Sequence, residues 1–225
     1  MNKTMSFIRL DFFTVKPYFT WRNLSIYIIV ALIMAFSSKT PYASIGMLMV
    51  FASLYVTVPF SVSEKNSIDA LYVTLAIKRK DVVAGRYIFA LFVNLFAGIL
   101  AWFFSMLAMT ITKAPMYDND IKTAFATVVV MFIIINVIQA VQLPIFFKLG
   151  YSKAKFLSYL PFFSLAALSG FILTFFNNDN FNFSGIIVWV ESNMIIAVLI
   201  LIAAWLLIMF VSYKISLAYY NKRDF

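Results

Sequence analysis

The chain contains no cysteine and no histidine, so the side chains that most often serve as nucleophiles, imidazole bases and soft-metal ligands are missing. Disulfides are excluded, and the usual protein sites for zinc, copper and haem are disfavoured. The lack of cysteine is compatible with any redox compartment. Most enzymatic functions are therefore disfavoured before any motif is considered.

Charged residues are also scarce, at 12% of the chain, whereas 64% of the residues are apolar. Several uninterrupted apolar runs reach about twenty residues, which is the length that an α-helix needs to cross the hydrocarbon core of a membrane. A soluble domain of this length would not carry such runs. The sequence therefore predicts a polytopic membrane protein.

Six apolar segments are long enough to span the membrane as helices. They cover residues 21–38, 41–60, 86–112, 123–143, 156–176 and 186–212. Roughly twenty polar and aromatic residues precede the first run and no small-x-small cleavage site follows it, so we interpret it as an uncleaved span. We predict an all-α fold in which residues 1–225 form a single transmembrane domain.

Lysine and arginine are distributed unevenly over the predicted loops. With the N-terminus inside, only three of the eighteen basic residues fall in outer loops, namely Lys39, Lys113 and Lys122. Because basic residues concentrate on the cytoplasmic side, both termini are predicted to be cytoplasmic. The net charge of +9 is explained by this topology and by attraction to anionic membrane lipids, so no nucleic-acid partner is expected.

The segment before the first span, "MSFIRLDFFTVKPYF", has the pattern of an amphipathic helix over residues 3–19. Its apolar residues at near-helical spacing are Met5, Ile8, Phe12 and Val15, and the charged residues between them are Arg9, Asp11 and Lys16. Such a helix lies in the membrane interface. It could serve as a topology anchor or as a functional connecting helix, and the pattern does not decide between them.

The loop at residues 61–81 combines charge with helical spacing. Ser61 and Glu64 have the S-x-x-E form of a capping box, which predicts that a new helix begins there. One face of this helix is apolar, with Ile68, Leu71, Tyr72 and Leu75, and the residues predicted to point away from it are Asn66, Asp69 and Thr74. Arg86 and Tyr87 follow at the start of the third span, where they are expected to snorkel to the headgroups.

This loop resembles the "DEKN … LPxSRxxIVxxKY" pattern of ABC-2 type transporter permeases. The residues that carry the resemblance are Phe60, Glu64-Lys65-Asn66, Leu75, Arg79-Lys80-Asp81, Val83 and Arg86-Tyr87. Ala76 replaces the usual proline of the pattern, and Ser63 replaces a common aspartate. The resemblance implies a fold similar to type V ABC exporters, with six spans, an interfacial N-terminal helix and a cytoplasmic coupling helix.

The resemblance also implies partners for the chain. Its loop would dock on a separate ABC ATP-binding subunit through Glu64, Lys65, Asn66, Asp69, Leu71, Tyr72, Arg79 and Lys80, and Glu64 and Asp69 would face a basic groove there. Two such subunits would bind ATP and Mg²⁺, since this chain has no G-x-x-x-x-G-K-[ST] loop and no cofactor site of its own. A second permease, identical or homologous, would complete the exporter in a bacterial plasma membrane.

A second similarity to the family lies at residues 177–193. The stretch "FNNDNFNFSGIIVWVESN" looks like a re-entrant extracellular segment, in which Glu191 must face water or a partner. The other interpretation is a plain loop followed by a late start of the sixth span.

Polar residues within the predicted spans are few, and they offer candidates for a substrate path. Asn94 lies in the third span, whereas Asn136 and Gln139 share one face of the fourth span. Such amides usually form hydrogen bonds between helices, and lining a substrate path with Glu191 is the alternative. Abundant Phe, Met and Tyr favour a hydrophobic or amphipathic substrate, such as an antimicrobial or toxin peptide.

Two other classes of function remain open at this stage. The chain could be a non-transporting membrane scaffold or immunity protein, or an integral membrane enzyme. An enzyme would need titratable residues that meet near the interface, and only scattered Asp and Glu are present. The resemblance favours a third function, the permease of an ATP-driven exporter. The permease itself would have no catalytic residues.

Overall fold

The structure is a computed structural model that describes residues 3–38, 42–74, 77–112, 118–176 and 192–223. Every regular element in these ranges is helical, which confirms the predicted all-α class. The α-helices are α1 (Lys3–Val15), α2 (Trp21–Ser38), α3 (Tyr42–Tyr55), α4 (Val58–Lys65), α5 (Ile68–Thr74), α6 (Arg79–Thr112), α7 (Asp118–Leu149), α8 (Tyr151–Ala154), α9 (Leu160–Phe176) and α10 (Met194–Asn221). Two 3₁₀ segments, Lys16–Tyr18 and Lys155–Tyr159, follow α1 and α8.

Several of these helices are long and apolar enough to cross a membrane. Within the described ranges there are four, at Ser44–Lys65, Arg79–Ala108, Ile121–Leu149 and Ile196–Asn221. A fifth is added if α1 and α2, which meet at an angle of 80°, are counted together as one bent span. The chain is thus a multi-pass membrane protein. Most of the predicted re-entrant segment, including Glu191, lies outside the described residues.

Some spans extend further than their hydropathy predicts. Helix α6 begins at Arg79 instead of residue 86, and α7 continues to Leu149 instead of residue 143. Hydropathy marks only the part of a helix that lies in hydrocarbon, whereas backbone hydrogen bonding continues until a residue breaks it. For α7 this residue is Gly150, whose φ of 78° is readily adopted only without a side chain.

The second span does not end at Phe60, as predicted, but continues into α4. A break at Val56 and Thr57 separates α3 from α4, and Pro59 lies in the first turn of α4. Proline has no N–H to donate to the carbonyl four residues earlier, which explains the break. Because Ser61 lies inside α4, the predicted capping box is wrong.

Helix α1 packs on α6 through one face. Ile8, Asp11 and Val15 are buried in this face, while Phe12 and Phe13 are 46% and 58% exposed. The amphipathic helix is therefore present, but Asp11 belongs to its buried face and not to its polar one. A carboxylate in this position needs a partner.

Helix α7 packs against α3, α6 and α10, and two buried clusters lie along it. One cluster is near the α4 end and includes Phe60, whose ring stacks on Phe146 with 5.3 Å between centroids. The other cluster, further along the bundle, contains Ile45, Met49 and Ile135. Burial of these side chains fixes the helices against one another.

A proline inside α7 is matched by a serine of α10. Pro144 cannot donate an N–H to the carbonyl of Ala140, one turn earlier. The Ser212 hydroxyl donates to this carbonyl instead, at 2.6 Å. The Tyr87 hydroxyl lies 2.6 Å from Ser212 Oγ and 2.8 Å from Ser216 Oγ, so one polar chain joins α6, α7 and α10. Such replacement of lost backbone bonds is what membrane helices require.

Candidate functional site

Helices α4 and α5 form a short helical hairpin, and we call the region where it contacts the rest of the chain the hairpin base. Polar side chains join the hairpin there to four other helices. The residues of the hairpin base are Asp11, Ser63, Glu64, Asp69, Arg79, Arg86 and Tyr220. The cavity that several of them line has room for about one water molecule, so it is too small for a transported substrate.

Arg86 of α6 is the most deeply buried cation of the hairpin base. Its Nε lies 3.2 Å from Oδ2 of Asp11, and the two side chains are only 3% and 1% exposed. Its Nη2 donates to Ser63 Oγ at 2.6 Å, and the guanidinium lies 4.4 Å from the centroid of the Phe60 ring. The prediction that Arg86 snorkels to the headgroups is wrong, because Asp11 compensates its charge inside the protein.

Burial affects the ionisation of groups at the hairpin base. It raises the pKa of the Asp11 carboxyl to about 6, although the Arg86 guanidinium acts in the opposite direction. The guanidinium, 3.2 Å away, favours the ionised form of the carboxyl, so Asp11 is a suitable partner for the arginine. Burial also raises the pKa of the Tyr72 hydroxyl, which keeps this group protonated.

Glu64, at the end of α4, contacts the turn between α7 and α8. Its Oε2 accepts a hydrogen bond from the backbone N–H of Ser152 at 3.0 Å. A Cβ built on Gly150 would lie 2.9 Å from this oxygen and 2.9 Å from Nη2 of Arg223, so both side chains lie against Gly150. Glu64 therefore binds the backbone of another helix. The spacing of Ser61 and Glu64 had instead suggested that the two residues cap a helix together.

Asp69, on α5, is held by the C-terminal end of α10. The Tyr220 hydroxyl donates to Asp69 Oδ1 at 3.0 Å. Arg79 reinforces this junction, because its Nη1 donates to the carbonyl oxygen of Tyr220 at 2.8 Å and to that of Asn221. The prediction that Asp69 points away from the packed face is wrong, because it lies in the contact between the hairpin and α10.

The structure divides the predicted docking residues into two groups. Glu64, Asp69, Tyr72 and Arg79 take part in contacts within the chain, and Tyr72 is only 5% exposed. The exposed group is formed by Lys65, Asn66, Leu71 and Lys80. The predicted apolar stripe of α5 is thus divided, because Tyr72 packs inside while Leu71 is 53% exposed.

The amides predicted within the spans form one buried cluster. Asn94 Nδ2 donates to Gln139 Oε1 at 2.7 Å and to Asn136 Oδ1 at 3.2 Å. Gln139 Nε2 donates back to Asn94 Oδ1 at 3.3 Å. All three side chains are at most 1% exposed, so they link α6 to α7. This arrangement is typical of hydrogen bonding between membrane helices.

Sequence reasoning did not identify Ser63 and Tyr220 as residues of the hairpin base, nor Ser152 as the partner of Glu64. One signal was available for the buried pair. Asp11 is the only carboxylate before the first predicted span, and the same near-helical spacing places it beside buried Ile8 and Val15. A carboxylate on such a face implies a buried cation, and Arg86 at the start of a span was a candidate.

The apolar helices define a multi-pass membrane protein. Polar and charged side chains at the hairpin base attach the α4–α5 hairpin to the other helices. Residues 6–221 match the family model described as ABC-2 family transporter protein, and the chain belongs to this family. Members of this family are the membrane components of transporters and work with an ABC ATPase subunit. No curated protein and no solved structure matches the chain.

Proposed function

We propose that the chain is the permease subunit of an ATP-driven exporter in a bacterial plasma membrane, with both termini in the cytoplasm. In the proposed complex, two copies of the permease or two related permeases pair, and two ATPase subunits bind the α4–α5 hairpins. The substrate is hydrophobic or amphipathic. The chain itself holds no nucleotide, because ATP and Mg²⁺ belong to the ATPase subunits.

The observation that supports this proposal is the attachment of the hairpin. Its base is bonded to α1 and α6 through Arg86, to the α7–α8 turn through Glu64, and to α10 through Asp69. A hairpin held at three points moves with the helices that hold it. ATP-driven closure of the ATPase subunits would therefore rock the bundle instead of bending a loop.

The six-span arrangement is part of the proposal. Helices α2, α3–α4, α6, α7, α9 and α10 would be the spans, and α1 would lie in the cytoplasmic interface. Helix α9, with 17 residues, would cover about 25 Å at 1.5 Å per residue, which suits a span that a re-entrant segment completes. That segment would occupy residues 177–193, with Glu191 facing water.

The test is coexpression of the tagged chain with ABC ATPase subunits encoded in the same genome. We expect one of them to copurify, and we expect the reconstituted complex to move a fluorescent amphipathic peptide out of the membrane at the expense of ATP. Replacement of the P-loop lysine of the ATPase should abolish movement without releasing the permease. ATP turnover by the purified chain alone, or transport that persists with the inactive ATPase, would refute the proposal.

A further inference from the structure

The connection between α7 and α9 carries a row of exposed aromatic rings. We call residues 151–163 the elbow segment, and its aromatic ridge consists of Phe156, Tyr159 and Phe163. These side chains are 70%, 54% and 57% exposed. They follow one another at the spacing i, i+3 and i+7, and the rings of Phe156 and Phe163 stack with 5.9 Å between centroids. Contact between the first and the last ring places the ridge on one face of the elbow segment.

The other face of the elbow segment packs against the protein. Ala154, Ser158 and Pro161, at the spacing i, i+4 and i+7, are buried. Gln142 of α7 donates a hydrogen bond from its Nε2 to the carbonyl oxygen of Leu157. Because the elbow segment is held from this side, the aromatic ridge points away from the helices that hold it.

The elbow segment lies between two apolar stretches of the chain. The candidate span of α7 ends at Leu149, two residues before the elbow segment begins. Residues 156–178, which include α9, carry no charge at all. Exposed aromatic rings at the end of a membrane helix are typical of the headgroup level of the bilayer. The aromatic ridge is therefore placed where lipid headgroups surround the protein.

The charge of the elbow segment is entirely positive. Lys153 and Lys155 are exposed, and no acidic residue occurs at positions 121–178. Glu64 reaches the elbow segment from α4, but its carboxylate accepts the N–H of Ser152. Lysines beside exposed aromatic rings match the phosphate and the acyl chains of an anionic phospholipid.

We propose that the elbow segment is a binding surface for anionic phospholipid. Lys153 and Lys155 bind the headgroup phosphate, and the aromatic ridge inserts between the headgroups and the upper acyl chains. An acidic protein surface would also attract the lysines, but the position of the ridge at the end of a span favours lipid. The bond between Glu64 and Ser152 puts this lipid site beside the hairpin base. The inference goes beyond the proposed function and does not depend on it.

The test uses the full-length chain in nanodiscs, with Tyr159→Trp as a fluorescent reporter in the ridge. The nanodiscs contain equimolar phosphatidylglycerol and phosphatidylcholine, and either one or the other is brominated, because bromine quenches an indole that it contacts. Quenching of the four native tryptophans, measured with the unmodified chain, is subtracted. We expect phosphatidylglycerol to bind about fivefold or more tightly than phosphatidylcholine. Lys153→Gln/Lys155→Gln in the reporter chain should abolish this preference, and added salt should reduce it.

The matched control is Lys80→Gln/Lys122→Gln, which removes two exposed lysines on α6 and at the opposite end of α7 and should leave the preference unchanged. Equal thermal unfolding temperatures would show that all variants fold. Equal quenching by the two brominated lipids, or a preference that survives Lys153→Gln/Lys155→Gln, would overturn the headgroup site. Quenching by neither lipid would overturn it as well, because water or protein would then cover the ridge. The nanodiscs hold no ATPase, so these outcomes leave the proposed function intact.

Discussion

The Nε atom of Arg86 lies 3.2 Å from Oδ2 of Asp11, and this buried ion pair joins the N-terminal helix α1 to α6. The same guanidinium donates to Ser63 in α4, so three helices meet at one charge. An interfacial helix that only anchored topology would not need this contact. The pair thus ties α1 to α6 and to the hairpin.

Asp11→Ala should destabilise the protein strongly, by about 3–5 kcal/mol, because it leaves the buried Arg86 charge without compensation. Thermal unfolding of the purified chain in detergent measures this loss. The double variant Asp11→Leu/Arg86→Met removes both charges and should be more stable than Asp11→Ala. If Asp11→Ala unfolded at the same temperature as the unmodified chain, the pair would not contribute to stability.

Gly150→Ala should destabilise the chain by about 1–3 kcal/mol, because an alanine at φ 78° is strained. Its Cβ would also meet Glu64 Oε2 and Arg223 Nη2 at 2.9 Å. The matched control is Gly170→Ala in α9, where a Cβ meets nothing within 4 Å and helix propensity should rise. Unfolding temperatures that fell equally for both variants would contradict the strain at Gly150.

Ser212→Ala should destabilise the chain by about 1–2 kcal/mol, since it removes the donor that replaces the missing N–H of Pro144. In a Pro144→Ala background, residue 144 supplies its own N–H, so the same change should cost less. A double-mutant cycle measures this coupling. Ser105→Ala is the control, because Ser105 Oγ donates to Trp102 O within its own helix. If the effects of Ser212→Ala and Pro144→Ala were additive, the Ser212 hydroxyl would not be a substitute for the missing N–H of Pro144.

Asn94→Leu should lower stability by about 1–3 kcal/mol, because it leaves the buried amides of Asn136 and Gln139 without their shared partner. Replacing all three amides by leucine should cost less than this single change. In the assembled complex, substrate-stimulated ATP hydrolysis per folded protein should persist in the triple variant. Selective loss of stimulation at normal stability would instead place the amides on the substrate path.

The sequence predicted those features of the protein that depend on local pattern. Apolar runs indicated a helical membrane protein, because the hydrocarbon core selects long apolar helices whatever their neighbours are. The three-residue spacing of Asn136 and Gln139 put them on one face, which the structure confirms by joining both to Asn94. The loop motif indicated the family, which the match over residues 6–221 shows.

Only the tertiary structure decided which polar groups meet and which way the charges point. Helical periodicity places Asp69 on a face of α5, but it does not reveal that Tyr220 lies opposite. The S-x-x-E spacing of Ser61 and Glu64 was overridden because α4 runs through Ser61 and brings Glu64 to the amide of Ser152. The physical reason is that the free energy of a buried charge depends on the partner that packing supplies, and residues far apart in the chain supply it.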